Sequence, residues 1–384
     1  MSSEAMTNMM ELGLFTGQRQ YENFSRFKEL LPTSRMSASP VPFEFPEGRW
    51  TALPDSYDFD GAIRSKQDFL EQTDTSAVFV LKDGKVRHEL YRLSGGRDVQ
   101  WISWSVAKSF VSTLVGIALA EGHIRDLTDT ISDYVPVDKG SAYDGVSIKD
   151  VLQMSSGARW NEDYNDPESD VFRLGATMAG AMTLDTFVAT MAAQAAPGTV
   201  CRYNSGDTQA LGAMLVRATG RSLTDYMHEK LCVPLGFEAD SFWLVDPAGM
   251  EMAFAGLNMT ARDFAKLGEL YRNGGRWNEQ QIIPESWVTA SIRADAPHIQ
   301  PGKPILADHP LELGYGYQWW LPAGSRGEFT AMGIYNQLVF VDPSRDVVIV
   351  KLSANPAYGT SMEEHTNREN ETIALLRAIS AALD

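Results

Sequence analysis

Cysteine is almost absent: Cys201 and Cys232 are the only two in 384 residues. A disulfide framework needs more, and a chain of this length can bury a core that does without one. Clusters of basic residues are missing too. Thirty-three Lys and Arg face 50 Asp and Glu, a formal net charge of −17, which argues against nucleic acid and anionic membranes as main partners. No apolar run is long enough to span a bilayer. Residues 1–20 mix acidic and amidic side chains with apolar ones and have neither a basic start nor a small-residue cleavage site, unlike a signal peptide. The expectation is a reduced, soluble, cytoplasmic protein. The six histidines are scattered. His228 and Cys232 lie four apart but have no evident third ligand, so no metal is expected. There is no Gly-x-Ser-x-Gly elbow, P-loop or dinucleotide fingerprint, and no cofactor is expected.

What is present reads as an ordinary globular chain, 44% hydrophobic and 22% charged, with one large or two intimately packed domains. Residues 1–60, with Pro40, Pro42, Pro46 and Pro54 close together, read as an arm wrapping a surface. Ala77-Val78-Phe79-Val80-Leu81 has strand character. The Asp83-Gly84 pair suits a tight hairpin turn, and Val86 to Leu93 reads as the return strand. Val106 to Glu121 is expected as a helix apolar nearly all round, hence buried, with Gly122 ending it. Helical spacing recurs at 147–153, 207–219 and 260–272, the last with Thr260 as N-cap. Strand character returns at Tyr315–Leu321, Phe329–Ile334, Gln337–Asp342 and Val347–Ser353, and a final amphipathic helix is expected over 362–383. The resulting expectation is an α+β chain: an arm (1–60), a discontinuous sheet domain (61–127 and 248–384) and a mainly helical domain (128–247).

The chemistry centres on Ser105-Val106-Ala107-Lys108. Two residues three apart at a helix start share a face. A lysine buried there is driven towards its neutral form, which can help to deprotonate the serine. The first-turn amides favour an oxyanion. The bland alternative is an N-cap serine followed by a snorkelling lysine. Ser25-Arg26-Phe27-Lys28 has the same spacing but no buried helix behind it. Tyr203-Asn204-Ser205 follows the turn at Pro197-Gly198-Thr199. A basic tyrosine needs a nearby cation, and Lys108 would serve. Taken alone, Tyr203 reads as a core tyrosine before an N-cap.

Ordered segments decide between these alternatives. Trp104 to Ser109, Asp129 to Pro136, Val146 to Leu152 with Ser155-Ser156-Gly157, Pro197-Gly198 with Tyr203-Asn204-Ser205, Pro234-Leu235-Gly236-Phe237, Thr260 to Asp263 and Asn273-Gly274-Gly275 together resemble the serine β-lactamase and penicillin-binding-protein superfamily in its class C branch. That branch includes the family VIII carboxylesterases and the nylon-oligomer (6-aminohexanoate-dimer) hydrolases. Asn161 to Pro167, the Tyr-x-Ser form at 203–205 and Tyr317-Gln318-Trp319-Trp320 are similar to the nylon-oligomer hydrolases. The resemblance implies an antiparallel sheet flanked by helices plus a helical domain, with the site between them. It implies Ser105 as nucleophile, with Lys108 and Tyr203 sharing its proton. It puts the Ser105 and Ile334 amides in the oxyanion hole, and Tyr164, Ser205 and Gly333 at the substrate, Tyr164 against the scissile amide.

One departure bears on specificity. Where the family has Lys-Thr-Gly or His-x-Gly, this chain reads Ala331-Met332-Gly333-Ile334, so a substrate carboxylate loses its cation. The expected substrate is a small linear amide or ester. The competing readings are a broad carboxylesterase with weak β-lactamase activity and a non-catalytic scaffold of the same fold. A homodimer is compatible with the sequence.

Overall fold

The apolar run at 77–81 becomes the middle of strand β1 (Thr75–Lys82) in the computed structural model, which describes residues 9–306, 309–310 and 312–383. Asp83 and Gly84 both take positive φ, 52° and 69°, the backbone that a two-residue hairpin demands. They return the chain as β2 (Lys85–Tyr91). The C-terminal half supplies β3 (Leu313–Tyr315), β4 (Trp320–Pro322), β5 (Phe329–Gly333), β6 (Gln337–Asp342) and β7 (Val347–Ser353). The seven strands order as β3-β4-β5-β6-β7-β1-β2, antiparallel throughout. Strands from both ends of the chain thus form one sheet, joined where Val80 faces Ile349.

Both faces of this sheet are covered, which is why its central strands are continuous apolar runs rather than alternating ones. Phe79 and Leu81 of β1 and Val348 and Val350 of β7 enter one core. That core also takes Phe110, Val111 and Leu114 of helix α1 (Ala107–Ala120) and Phe264 and Leu267 of α3 (Ala261–Arg272). Val78, Val80, Val347 and Ile349 point the other way, against Ile373, Leu376 and Ile379 of α4 (Glu369–Ala381). Helix α2 (Ser205–Thr219) packs on α1, and its Leu211 and Leu215 belong to the core under the sheet. The antiparallel sheet flanked by helices is therefore as expected. The first segment buries Phe24, Phe27 and Phe45, and its strand Thr33–Met36 joins a four-stranded sheet through Ser241–Leu244.

Two expected elements are broken in the structure. The stretch 315–321 is not one strand. It reverses, so that Tyr315 pairs with Trp320 across β3 and β4. Buried Gln318, at φ 60°, makes the turn. Its amide donates to Leu152 O at 2.8 Å and accepts from Thr208 Oγ1 at 2.6 Å, partners far away in sequence. The last helix is likewise split into Glu364–Asn367 and α4 by Arg368 at φ 53°. Asn336 Nδ2 takes the Asn367 carbonyl at 2.7 Å, out of the helical ladder. This break makes Glu369 the first residue of α4.

Candidate active site

Ser105 is delivered by backbone strain. The short strand Trp101–Ile102 pairs with Leu257–Met259, and the chain then forces Trp104 to φ 45°, a costly value for a bulky side chain. One 3₁₀ turn, Trp104–Val106, leads into α1. Ser105 is left at the helix head, 7% exposed. The end of β5 lies against it. A Cβ on Gly333 would fall 2.6 Å from Ser103 O and 3.0 Å from the Ser105 amide nitrogen, so only glycine fits this approach. Because β4 pairs with β5 only at Trp320–Thr330, the Ala331–Gly333 edge is open on that side. Among the described residues, neither the Ser105 nor the Ile334 amide donates to a protein acceptor.

Lys108 lies one helical turn on, with its side chain 1% exposed. Its Nζ donates to Ser105 Oγ at 2.9 Å, Ser205 Oγ at 3.1 Å and Phe254 O at 2.9 Å. These contacts use all the donors an ammonium has. Burial pushes its pKa down to about 7, with Glu162 opposing the shift. The Tyr203 ring lies 5.0 Å from Nζ. Burial, reinforced by Glu162, raises the Tyr203 pKa well above the usual tyrosine value, and the Ser105 hydroxyl partly offsets this. Tyr203 is therefore a phenol at neutral pH, whereas Lys108 can hold or release a proton. Asn204 caps α2, accepting from Gly206 N at 2.8 Å.

Sequence reasoning missed Glu162. This buried carboxylate accepts from Tyr164 Oη at 2.9 Å and Ser205 Oγ at 2.7 Å through Oε1. Through Oε2 it accepts from the Trp160 indole and from Ser205 N at 3.2 Å. It forms a line, Glu162–Ser205–Lys108–Ser105, in which the Ser205 hydroxyl bridges the carboxylate and the amine and Ser105 stands at the end. The available signal was its place between Trp160 and Tyr164, two aromatic donors, in an otherwise acidic loop. The hydrogen bonds of Ser205 are spent inside this line. Tyr164 lines the cavity, and its hydroxyl is held by Glu162.

A cavity of about 240 Å³ opens beside Ser105, walled by Trp104, Val171, Phe172, Met252, Phe254 and Ile334. Leu14 and Phe15 of the N-terminal segment complete it. Phe15 stacks on Tyr164 at 4.7 Å and on Tyr335 at 5.3 Å. A second, narrower recess at the same serine is lined by Tyr203, Met332, Gly333, Tyr358 and Glu369. The other Ser-x-x-Lys pair is not assembled: Ser25 Oγ donates to Glu22 O, while Lys28 reaches Gln100. Cys232 is buried with its thiol against Ser37 O. Among the described residues, no group of three or more His, Cys, Asp or Glu is placed to hold a metal ion, and no helix is long and apolar enough to cross a membrane.

Known proteins resemble this chain in sequence and in fold. The Beta-lactamase family model matches residues 65–372. The 6-aminohexanoate-dimer hydrolase of Paenarthrobacter ureafaciens is 32% identical over 346 residues, spanning 87% of this chain and 85% of the relative. A Bacillus anthracis structure provisionally named a 6-aminohexanoate-dimer hydrolase superposes with a TM-score of 0.83 at 23% identity, over 100% of this chain and 98% of the other. EstCE1, a hydrolase with promiscuous acyltransferase activity, gives 0.62 at 17% identity, over 83% and 96%.

Proposed function

The chain belongs to the Beta-lactamase family of serine hydrolases, and from that premise we propose that it cleaves a small linear amide or ester through an acyl-enzyme on Ser105. The observation that carries the reading is the 2.9 Å contact between Lys108 Nζ and Ser105 Oγ in a buried site. Ser105 Oγ bonds to the substrate carbonyl carbon and its proton passes to neutral Lys108. The carbonyl oxygen becomes an oxyanion between the Ser105 and Ile334 amides. The bond to the leaving group then breaks as Tyr203 gives that group its proton, and Lys108 re-protonates Tyr203. Water, losing its proton to the same pair, attacks the acyl carbon, and the bond to Ser105 breaks as the pair passes that proton to Ser105 Oγ. With a pKa of about 7, Lys108 suits the accepting role. The raised pKa of Tyr203 keeps it in the protonated form that donation requires, and Lys108 restores that proton.

The apolar walls of the main cavity favour an uncharged acyl group, and they equally favour the carboxylesterase reading. Ala331, where the family places a cation, is buried and apolar, so no positive charge on β5 awaits a β-lactam carboxylate. Side-by-side turnover of p-nitrophenyl esters, 6-aminohexanoate dimer and nitrocefin separates these readings. The p-nitrophenyl esters should exceed nitrocefin in kcat/KM by about tenfold or more, a gap of about 1.4 kcal/mol in transition-state binding. Nitrocefin as the best of the three would favour a β-lactamase.

A further inference from the structure

The narrow recess beside Ser105 contains a carboxylate that the reaction above does not use. Glu369 lines it together with Tyr203, Met332 and Tyr358. Its Oε1 accepts from the Tyr358 hydroxyl, and Oε2 has no protein donor among the described residues. Among the described residues, no basic side chain forms an ion pair with it. Arg368, its neighbour in sequence, turns away to Glu371 at 2.7 Å and Gln72 at 2.7 Å. The other titratable groups that act on Glu369 or feel its charge are Glu364, Tyr358 and Tyr203, none of them a cation. A carboxylate facing a substrate cleft without a cation is costly unless the ligand brings one.

The two recesses meet at Ser105, Tyr164 and Ile334. The larger is apolar. The smaller is the one that Tyr203 lines, and the group that receives the Tyr203 proton is the leaving group. We propose that Glu369 recognises a positive charge on the leaving-group side, so that the preferred substrate is an apolar acyl group joined to a leaving group bearing an ammonium. This rests on the acyl-enzyme reading, which alone makes the Tyr203 side the leaving-group side. It also implies that a linear amino-acid dimer is a poor fit, because its free carboxylate would be turned towards Glu369. Burial raises the Glu369 pKa to about 7, the Tyr358 hydroxyl opposing and Glu364 adding to the shift. The site is thus charged above that pH and neutral below it.

Butanoylcholine and 3,3-dimethylbutyl butanoate test this, being matched in shape with the charge present in one only. The expected kcat/KM ratio, cationic over neutral, is about tenfold or more at pH 8, the scale of one desolvated charge contact. The ratio should shrink as pH falls through about 7. The titration of Lys108 cancels in the ratio. Glu369→Gln should bring the ratio to within about twofold of unity, and Glu369→Lys should push it below one. Continued turnover of the neutral ester reports that each variant is folded. Equal turnover of the two esters by the wild type, with Ser105 acylated, would overturn the recognition role alone. Hydrolysis that survives Ser105→Ala would overturn the acyl-enzyme reading and this inference with it.

Discussion

At the scale of single residues, the site depends on one lysine being kept near its point of proton exchange. Burial drives Lys108 down to about 7, and Glu162 draws it back up. If neutral Lys108 takes the serine proton, kcat/KM rises with pH through about 7 and levels above it. Glu162→Gln removes the opposing anion, so this acidic limb should move to lower pH. The same change weakens a charge-assisted hydrogen bond to Ser205, and kcat should fall by about tenfold. A limb that stays in place would show that Glu162 does not set the Lys108 equilibrium. Tyr203→Phe leaves the ring and the 5.0 Å cation–ring contact but removes the proton donor. It should cost about 10² or more in kcat, read most directly as slower acylation by amides than by activated esters. Ser105 and Lys108 could be picked out as a candidate pair from their short spacing, and Tyr203 only through the family resemblance of its segment. Glu162 could not, because its meaning lies in Ser205, 43 positions away, a contact that only the fold makes.

At the scale of elements, the sheet was readable wherever both of its faces are buried, as in β1, β6 and β7, because the runs are long and apolar. It was misread at Tyr315–Leu321. There the aromatic residues argue for a strand, while a buried glutamine with distant partners makes a turn. β7 also carries a polar residue in an apolar place. Lys351 is fully buried, and its hydrogen-bond acceptor is Ser353 Oγ. Burial, with Arg368 adding to the effect, holds its pKa well below the usual lysine value. The unfolded chain therefore binds a proton that the folded one gives up. Stability should rise as pH climbs from the depressed folded value towards that of a free lysine. Lys351→Met should stabilise the fold at pH 7 by on the order of 1 kcal/mol or more and flatten that slope. Denaturant unfolding at pH 7 and pH 10 measures both effects, and an unchanged slope would assign the pH dependence elsewhere. The sequence suggested an arm for the N-terminal segment and gave no sign that it walls the cavity. Its Phe15 lies between Tyr164 and Tyr335, so Phe15→Ala should raise KM for long acyl groups several-fold, about 1 kcal/mol of lost apolar contact, with a smaller change for acetyl esters. Equal effects on short and long acyl groups would place Phe15 outside the acyl pocket.

Across the whole molecule, strands from residues 75–91 and 313–353 close one sheet. Helices α1 and α2, drawn from separate stretches of sequence, bring Lys108 and Ser205 to 3.1 Å. The general form of this assembly was readable from the order of segments along the chain, which also identified the family. The cavity was not, since its walls come from residues 14–15, 104–105, 162–175, 205, 252–255 and 334, and no local pattern joins them. The central claim is that this assembly activates one serine out of the many in the chain. Intact-mass measurement after a fluorophosphonate probe, followed by peptide mapping, tests it most directly. The expected result is one adduct per chain, on Ser105, absent in Ser105→Ala and unaffected by Ser25→Ala. A stoichiometric adduct on another residue, or full turnover by Ser105→Ala, would contradict it.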